Sequence, residues 1–115
     1  MAAYRPLQHP TELPEGRLYT AAEGALLDLG NNIEKRDPVE LRLETKPRTL
    51  AGSAIQQDGY RYFWIVDVDE GEVRIEIHCE RVRGQSASDC GDKRPQKLVT
   101  EQKKLLEAIL RDAGQ

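Results

Sequence analysis

Apolar and polar residues alternate along two arms between Tyr60 and Val82. On the first arm Tyr60, Tyr62, Trp64, Val66 and Val68 point one way and Arg61, Phe63, Ile65, Asp67 and Asp69 the other, because side chains alternate along a strand. The second arm sets Val73, Ile75, Ile77 and Cys79 against Glu72, Arg74, Glu76, His78 and Glu80. A turn at Asp69-Glu70-Gly71-Glu72 brings Val68 to Val73, Val66 to Ile75, Trp64 to Ile77 and Tyr62 to Cys79. The same register sets Asp67 against Arg74 and Arg61 against Glu80, so apolar pairing and charge pairing agree, and a slip by one residue breaks both.

The pattern elsewhere is shorter. Pro6, Pro10 and Pro14 forbid a continuous helix near the N-terminus, so residues 1–18 read as an extended proline-containing arm. Thr20-Ala21-Ala22-Glu23 matches a capping box, and Ala22, Ala25, Leu26, Leu29 and Ile33 follow at helical spacing. Gly30-Asn31-Asn32 is a point of fraying or kinking, and Asp37-Pro38 is the expected end. Val39, Leu41 and Leu43 alternate with Glu40, Arg42 and Glu44 as in a half-buried strand, and residues 49–56 form a weak second one. After Val82, the Gly-, Ser-, Asp- and Pro-rich residues 83–96 read as an exposed loop. A helix over residues 97–113 closes the chain. Leu98, Gln102, Leu105 and Ile109 form one row on it, Val99, Leu106 and Leu110 an adjoining one, and Gly114 is its stop. The expected fold is α+β: an antiparallel three- to four-stranded meander sheet packed against an N-terminal and a C-terminal helix, with residues 19–115 as a single domain.

Composition narrows the function classes. A chain of 115 residues, 38% hydrophobic and 32% charged, with mean hydropathy −0.67, fits one soluble globular domain. No apolar run approaches the roughly 18 residues of a membrane span, and no basic stretch followed by an apolar one marks a secretory leader, so a cytoplasmic protein without a membrane partner is expected. Cys79 on the apolar strand face and Cys90 in a polar loop are expected to be two free thiols. The net charge of −3 hides an asymmetry: residues 1–80 carry nine basic and fifteen acidic groups, residues 81–115 eight and five.

Candidate chemistry is sparse. Asp67-Val68-Asp69-Glu70-Gly71-Glu72 has the alternating carboxylates of a calcium loop, but its glycine is one position early and His78 stands where a bidentate glutamate is needed. Glu76, His78 and Glu80 share a strand face at intervals of roughly 7 Å, with Arg61 and Arg74 there to repel a cation. His78-Cys79-Glu80 matches only part of a zinc-deaminase signature, whose Pro-Cys-x-x-Cys half is missing. Acidic Asp89 and Asp92 beside Cys90 disfavour a thiolate, and neither His9 nor His78 is tied to a nucleophile. No glycine-rich phosphate loop follows a strand. No enzyme activity, cofactor or metal is therefore expected.

Phe63 and Ile65 are the anomaly, two large apolar groups on the charged face of the hairpin. The expected cover is the first helix or the proline arm, or else a partner. The leading expectation is a small non-catalytic protein-interaction module, adaptor-, chaperone- or inhibitor-like, binding a protein or its own copy through Arg61, Phe63, Ile65, Arg74, Glu76 and His78. One alternative is a nucleic-acid-binding module that uses the basic segment 81–104, with Arg81, Arg83, Lys93, Arg94 and Lys97 on phosphates and the row Tyr60, Tyr62 and Trp64 as a stacking platform. The other is a small-ligand-binding protein or enzyme with a pocket between sheet and helix.

Overall fold

In the computed structural model the elements run β1 (Ala2–Ala3), β2 (Leu7–Pro10), α1 (Glu15–Asp28), β3 (Ile33–Asp37), β4 (Arg42–Thr45), β5 (Arg48–Ala51), β6 (Asp58–Asp69), β7 (Glu72–Arg83), β8 (Ser86–Asp89) and α2 (Gln96–Ala113). The structure describes residues 2–3, 6–51, 58–84, 86–90 and 96–114. The fold is α+β, an antiparallel sheet with an N-terminal and a C-terminal helix. At its centre β6 and β7 pair Val68 with Val73, Val66 with Ile75, Trp64 with Ile77 and Tyr62 with Cys79, in the register that the two alternations demand. Asp67 opposes Arg74 and Arg61 opposes Glu80.

The sheet has eight strand segments among the described residues, more than the three or four expected. β2 and β1 line the stretch of β7 from Glu72 to Cys79 and β8 lines the rest, from Glu80 to Arg83. β4 and β5, separated by Lys46 and Pro47, line β6, and β3 pairs with β4 at the far edge. Of the added segments, β3 has five residues and forms a hairpin with β4, whereas β1, β2 and β8 are four residues or fewer, too short to show a period of their own. These three are strands because β7 offers them unpaired backbone groups. Of the weak strand over 49–56, Thr49–Ala51 belong to β5, and residues 52–56 lie outside the described residues.

The first helix differs from expectation at both ends. It starts at Glu15, directly after an extended Pro14 whose carbonyl accepts the Leu18 amide at 3.0 Å. Proline is tolerated there because the first amides of a helix have no intrahelical partner. Thr20 is exposed within the helix, so the capping box does not form. At the other end Gly30 (φ +87°) takes the left-handed conformation; its amide donates to the Leu27 carbonyl at 2.9 Å and that of Asn31 to Leu26 at 3.0 Å. This pair is a Schellman stop, so Ile33 starts a strand instead of continuing the helix.

Asp37 and Pro38 then mark a hairpin turn between β3 and β4, not the end of a helix. Asp37 Oδ1 accepts from the amides of Val39 and Glu40 at 3.1 and 3.0 Å, a side-chain-stabilised turn that leaves Val39 85% exposed. The strand expected from Val39 therefore begins only at Arg42.

A larger correction concerns the cysteines. Cys79 and Cys90 form a disulfide, and the residues expected as an exposed loop include β8. Glu80 opposes Asp89 in the β7–β8 ladder, so Cys90 stands one step further along, opposite Cys79, with Cα atoms 5.7 Å apart. The free-thiol expectation failed because it treated Cys90 as belonging to a wandering loop.

One face of the sheet is covered. Leu18, Ala22, Ala25 and Leu26 of α1 and Leu98, Leu105 and Ile109 of α2 pack on Leu43, Trp64, Val66, Ile75 and Ile77. Gln102, polar within this row, is satisfied by donating to the Ile75 carbonyl at 2.9 Å.

Candidate functional site

Side chains on the other face follow from the same alternation. Across β6 and β7, Arg61, Phe63, Ile65 and Asp67 lie against Glu80, His78, Glu76 and Arg74, so all six residues expected to bind a protein share one face. β4 adds Arg42 and Glu44 opposite Asp67 and Ile65, and β3 adds Lys35 opposite Glu44. Both helices pack on the opposite side, so α1 does not cover Phe63 or Ile65. Residues 7–10 of the proline arm form an edge strand beside β7 and do not cross this face either.

Ile65 is nevertheless only 4% exposed. It is flanked in register by Glu44 and Glu76, whose side chains are themselves mostly buried, so their aliphatic stems close over it while the carboxylates reach cations at the rim. Phe63 is half-buried and stacks on His78, with ring centroids 4.7 Å apart and planes within 15°. His78 Nε2 lies 3.1 Å from Glu76 Oε2. Around this centre stand the pairs Arg61–Glu80 at 3.3 Å, Arg42–Asp67 at 3.4 Å and Lys35–Glu44 at 4.0 Å. Arg74 Nε approaches Glu76 Oε1 to 3.2 Å, near enough for charge attraction but off-axis for a hydrogen bond. Burial pushes the Asp67 carboxyl above its usual range, and Arg42 draws it back only in part.

The residues of the nucleic-acid alternative are dispersed. Arg81 and Arg83 continue the helix-side row of β7 beyond Cys79, and Lys97 is exposed on the first turn of α2. Lys93 and Arg94 lie outside the described residues. Of the aromatic row, Trp64 is fully buried beneath the helices, Tyr62 is nearly so and Tyr60 partly so, so the three do not form an open row on which successive bases could stack. Among the described residues no three His, Cys, Asp or Glu side chains converge as a metal site.

On the helix side, a cleft of about 530 Å³ opens where α2 passes β5 and β6; it is lined by Arg48, Tyr62 and Leu50 from the sheet and by Lys97, Glu101 and Lys104 from α2. Arg48 Nη1 donates to the Leu29 carbonyl at 3.2 Å and to Asn31 Oδ1 at 3.4 Å, and the guanidinium sits 6.0 Å from the Tyr62 ring centroid. Asn31 is 2% exposed and is held by its own bond to the Leu26 carbonyl at 3.2 Å. Burial raises the Glu101 carboxyl, against the pull of Arg48, Lys97 and Lys104. Burial likewise raises the Tyr62 hydroxyl. Lys97, Glu101 and Lys104 at intervals of four and three are legible in sequence as one helical face. Arg48 is not, because its place depends on the pairing of β5 with Tyr62.

No protein-family model matches the chain, and no curated protein matches it. Solved structures do. A TBP-like protein from Parabacteroides distasonis superposes with a TM-score of 0.62 at 10% identity, over 97% of this chain and 92% of that one. A DUF4468 family protein from Bacteroides ovatus superposes with a TM-score of 0.57 at 9% identity, over 93% of this chain and 78% of that one. At such identities the likeness is one of fold: this chain shares their α+β architecture, an antiparallel sheet with two helices.

Proposed function

We propose that this chain is a non-catalytic protein-binding module that receives its partner on the uncovered face of the sheet. The carrying observation is the half-buried Phe63 stacked on His78 at the centre of a ring of ion pairs. An aromatic centre inside a polar rim is the usual anatomy of a contact surface. Ile65, already closed over, gives that centre a firm floor, and the ion pairs hold their long side chains in place before a partner arrives, which lowers the entropy lost on binding. His78, the histidine on this face, is engaged by Phe63 and Glu76 and not by a nucleophile. The abundance of carboxylates here favours a protein partner over nucleic acid, whose phosphates they repel.

The Cys79–Cys90 disulfide supports an oxidising compartment over the cytoplasm, because disulfides persist where the surroundings are oxidising; the cytoplasmic expectation rested on the apolar pattern and took two free thiols only as secondary support. Among the described residues no helix is long and apolar enough to cross a membrane.

Phe63→Asp tests the reading. The expected result is a urea midpoint close to that of the unchanged chain, together with loss of association, measured by sedimentation velocity for self-association and by affinity capture for a second protein. A variant that associates as the unchanged chain does overturns this face as the contact surface. Weakening of the complex by salt should be modest, because the charges of the rim are already paired; a steep salt dependence would favour phosphate contacts.

A further inference from the structure

We propose that the cleft between α2 and the β5–β6 edge is a binding site for a small organic anion, a carboxylate or phosphate ester carried on an apolar body. It lies across the sheet from Phe63 and is independent of that surface. Three cations, Arg48, Lys97 and Lys104, line the cleft and face one carboxylate, Glu101. Its volume of about 530 Å³ lies within the roughly 300–1,000 Å³ of small-molecule sites. Leu29, Leu50 and the Tyr62 ring supply apolar wall, and the Thr49 and Thr100 hydroxyls supply polar groups. That mixture suits an anion attached to a ring or short chain better than a bare inorganic ion.

Arg48 is the group that makes this more than a charged rim. Its guanidinium is oriented from behind by the Leu29 carbonyl and the buried Asn31 amide, and Asn31 is in turn held by Leu26. A cation whose direction is set by a buried neighbour needs no reorganisation to meet an anion. Capping α1 accounts for the bond to Leu29. It does not account for Lys97 and Lys104 on the same cleft, which bring like charges together with Glu101 as the one acidic group among the described residues that line it.

The test is titration of the full chain at low ionic strength with benzoate, phenyl phosphate, inorganic phosphate and benzyl alcohol, followed by amide chemical shifts and calorimetry. Saturable binding of benzoate or phenyl phosphate is expected, with shifts confined to residues around Arg48, Tyr62, Lys97, Thr100 and Lys104; which of the two binds tighter separates a carboxylate from a phosphate site. The double variant Lys97→Gln with Lys104→Gln changes two exposed side chains, so the fold should survive while affinity falls about tenfold. Phe63→Asp should leave this binding unchanged. Absence of saturable binding, equal binding of benzyl alcohol, equal binding of inorganic phosphate, or full affinity in the double lysine variant overturns the site.

Discussion

Thr45 is fully buried at the end of β4, and its hydroxyl accepts a hydrogen bond from the Trp64 amide at 2.9 Å. The bond falls where the line of β4 and β5 is broken by Lys46 and Pro47, so a side chain supplies the acceptor that a continuous strand would offer from its backbone. Thr45→Val keeps the shape and removes that acceptor, which should cost about 1–3 kcal/mol because a buried amide is left unpaired. Urea unfolding checks this; an unchanged midpoint would mean that the amide finds another acceptor. Glu101 has the opposite sign. Its folded-state pKa is raised above the ordinary 4.5, mainly by burial, so the folded chain holds this proton more tightly than the unfolded one. Glu101 therefore lowers stability as pH rises through the window above 4.5 and not below it. Glu101→Gln should be more stable than the unchanged chain at neutral pH, with the difference shrinking in acid. Melting curves across that range decide it, and a gain that persists in acid would point to packing instead of charge.

Among the elements, β8 gains most from chemistry outside itself. Ser86, Ala87, Ser88 and Asp89 have little apolar surface to bury, yet they pair with β7 and carry Cys90 to its partner. The disulfide spans a sequence separation of 11, and closing a loop of that length in the unfolded chain is worth about 3 kcal/mol. Replacing both cysteines by alanine should lower the melting temperature by about 10 °C or more, since each 1 kcal/mol corresponds to about 4–8 °C in a small domain. Thiol titration of the unchanged chain in denaturant should find none before reduction and two after it. Two reactive thiols without a reductant would remove both the covalent tie and the argument for an oxidising compartment.

For the molecule as a whole, one sheet has to manage two faces and two edges. The helices take one face; the ion-paired lattice around Ile65 and Phe63 keeps the other compatible with water. At one edge β3 presents Glu34, Lys35, Arg36 and Asp37, and a charged edge resists pairing with another chain. Along β7 the protection is steric: residues 2–3 and 7–10 occupy backbone groups that would otherwise face solvent. A chain starting at Thr11 should therefore self-associate through the bared edge of β7, and sedimentation velocity would detect the larger species. A truncated chain that stays monomeric and equally stable would show that the arm is dispensable. Because the Phe63 face and the Arg48 cleft lie on opposite sides of the sheet, changes at one should leave the other intact.

The β6–β7 register and the buried row of α2 were determined by sequence alone. Each rests on many side chains that repeat one period, and in the hairpin the apolar and charged partners give the same answer, so tertiary contacts had nothing left to choose between. All six residues named for the outer face do share it, for the same reason. The attachment of β1, β2, β5 and β8 was decided only in three dimensions, because segments of two to four residues carry too little pattern and take their state from the backbone groups beside them. Long-range geometry also decided what covers Ile65, which depends on Glu44 in a strand 21 positions away, and where the disulfide forms, which depends on the register of β8. The cleft belongs with these. Lys97, Glu101 and Lys104 are a helical face in any reading, but Arg48 reaches them only because Pro47 breaks the strand and β5 resumes opposite Tyr62.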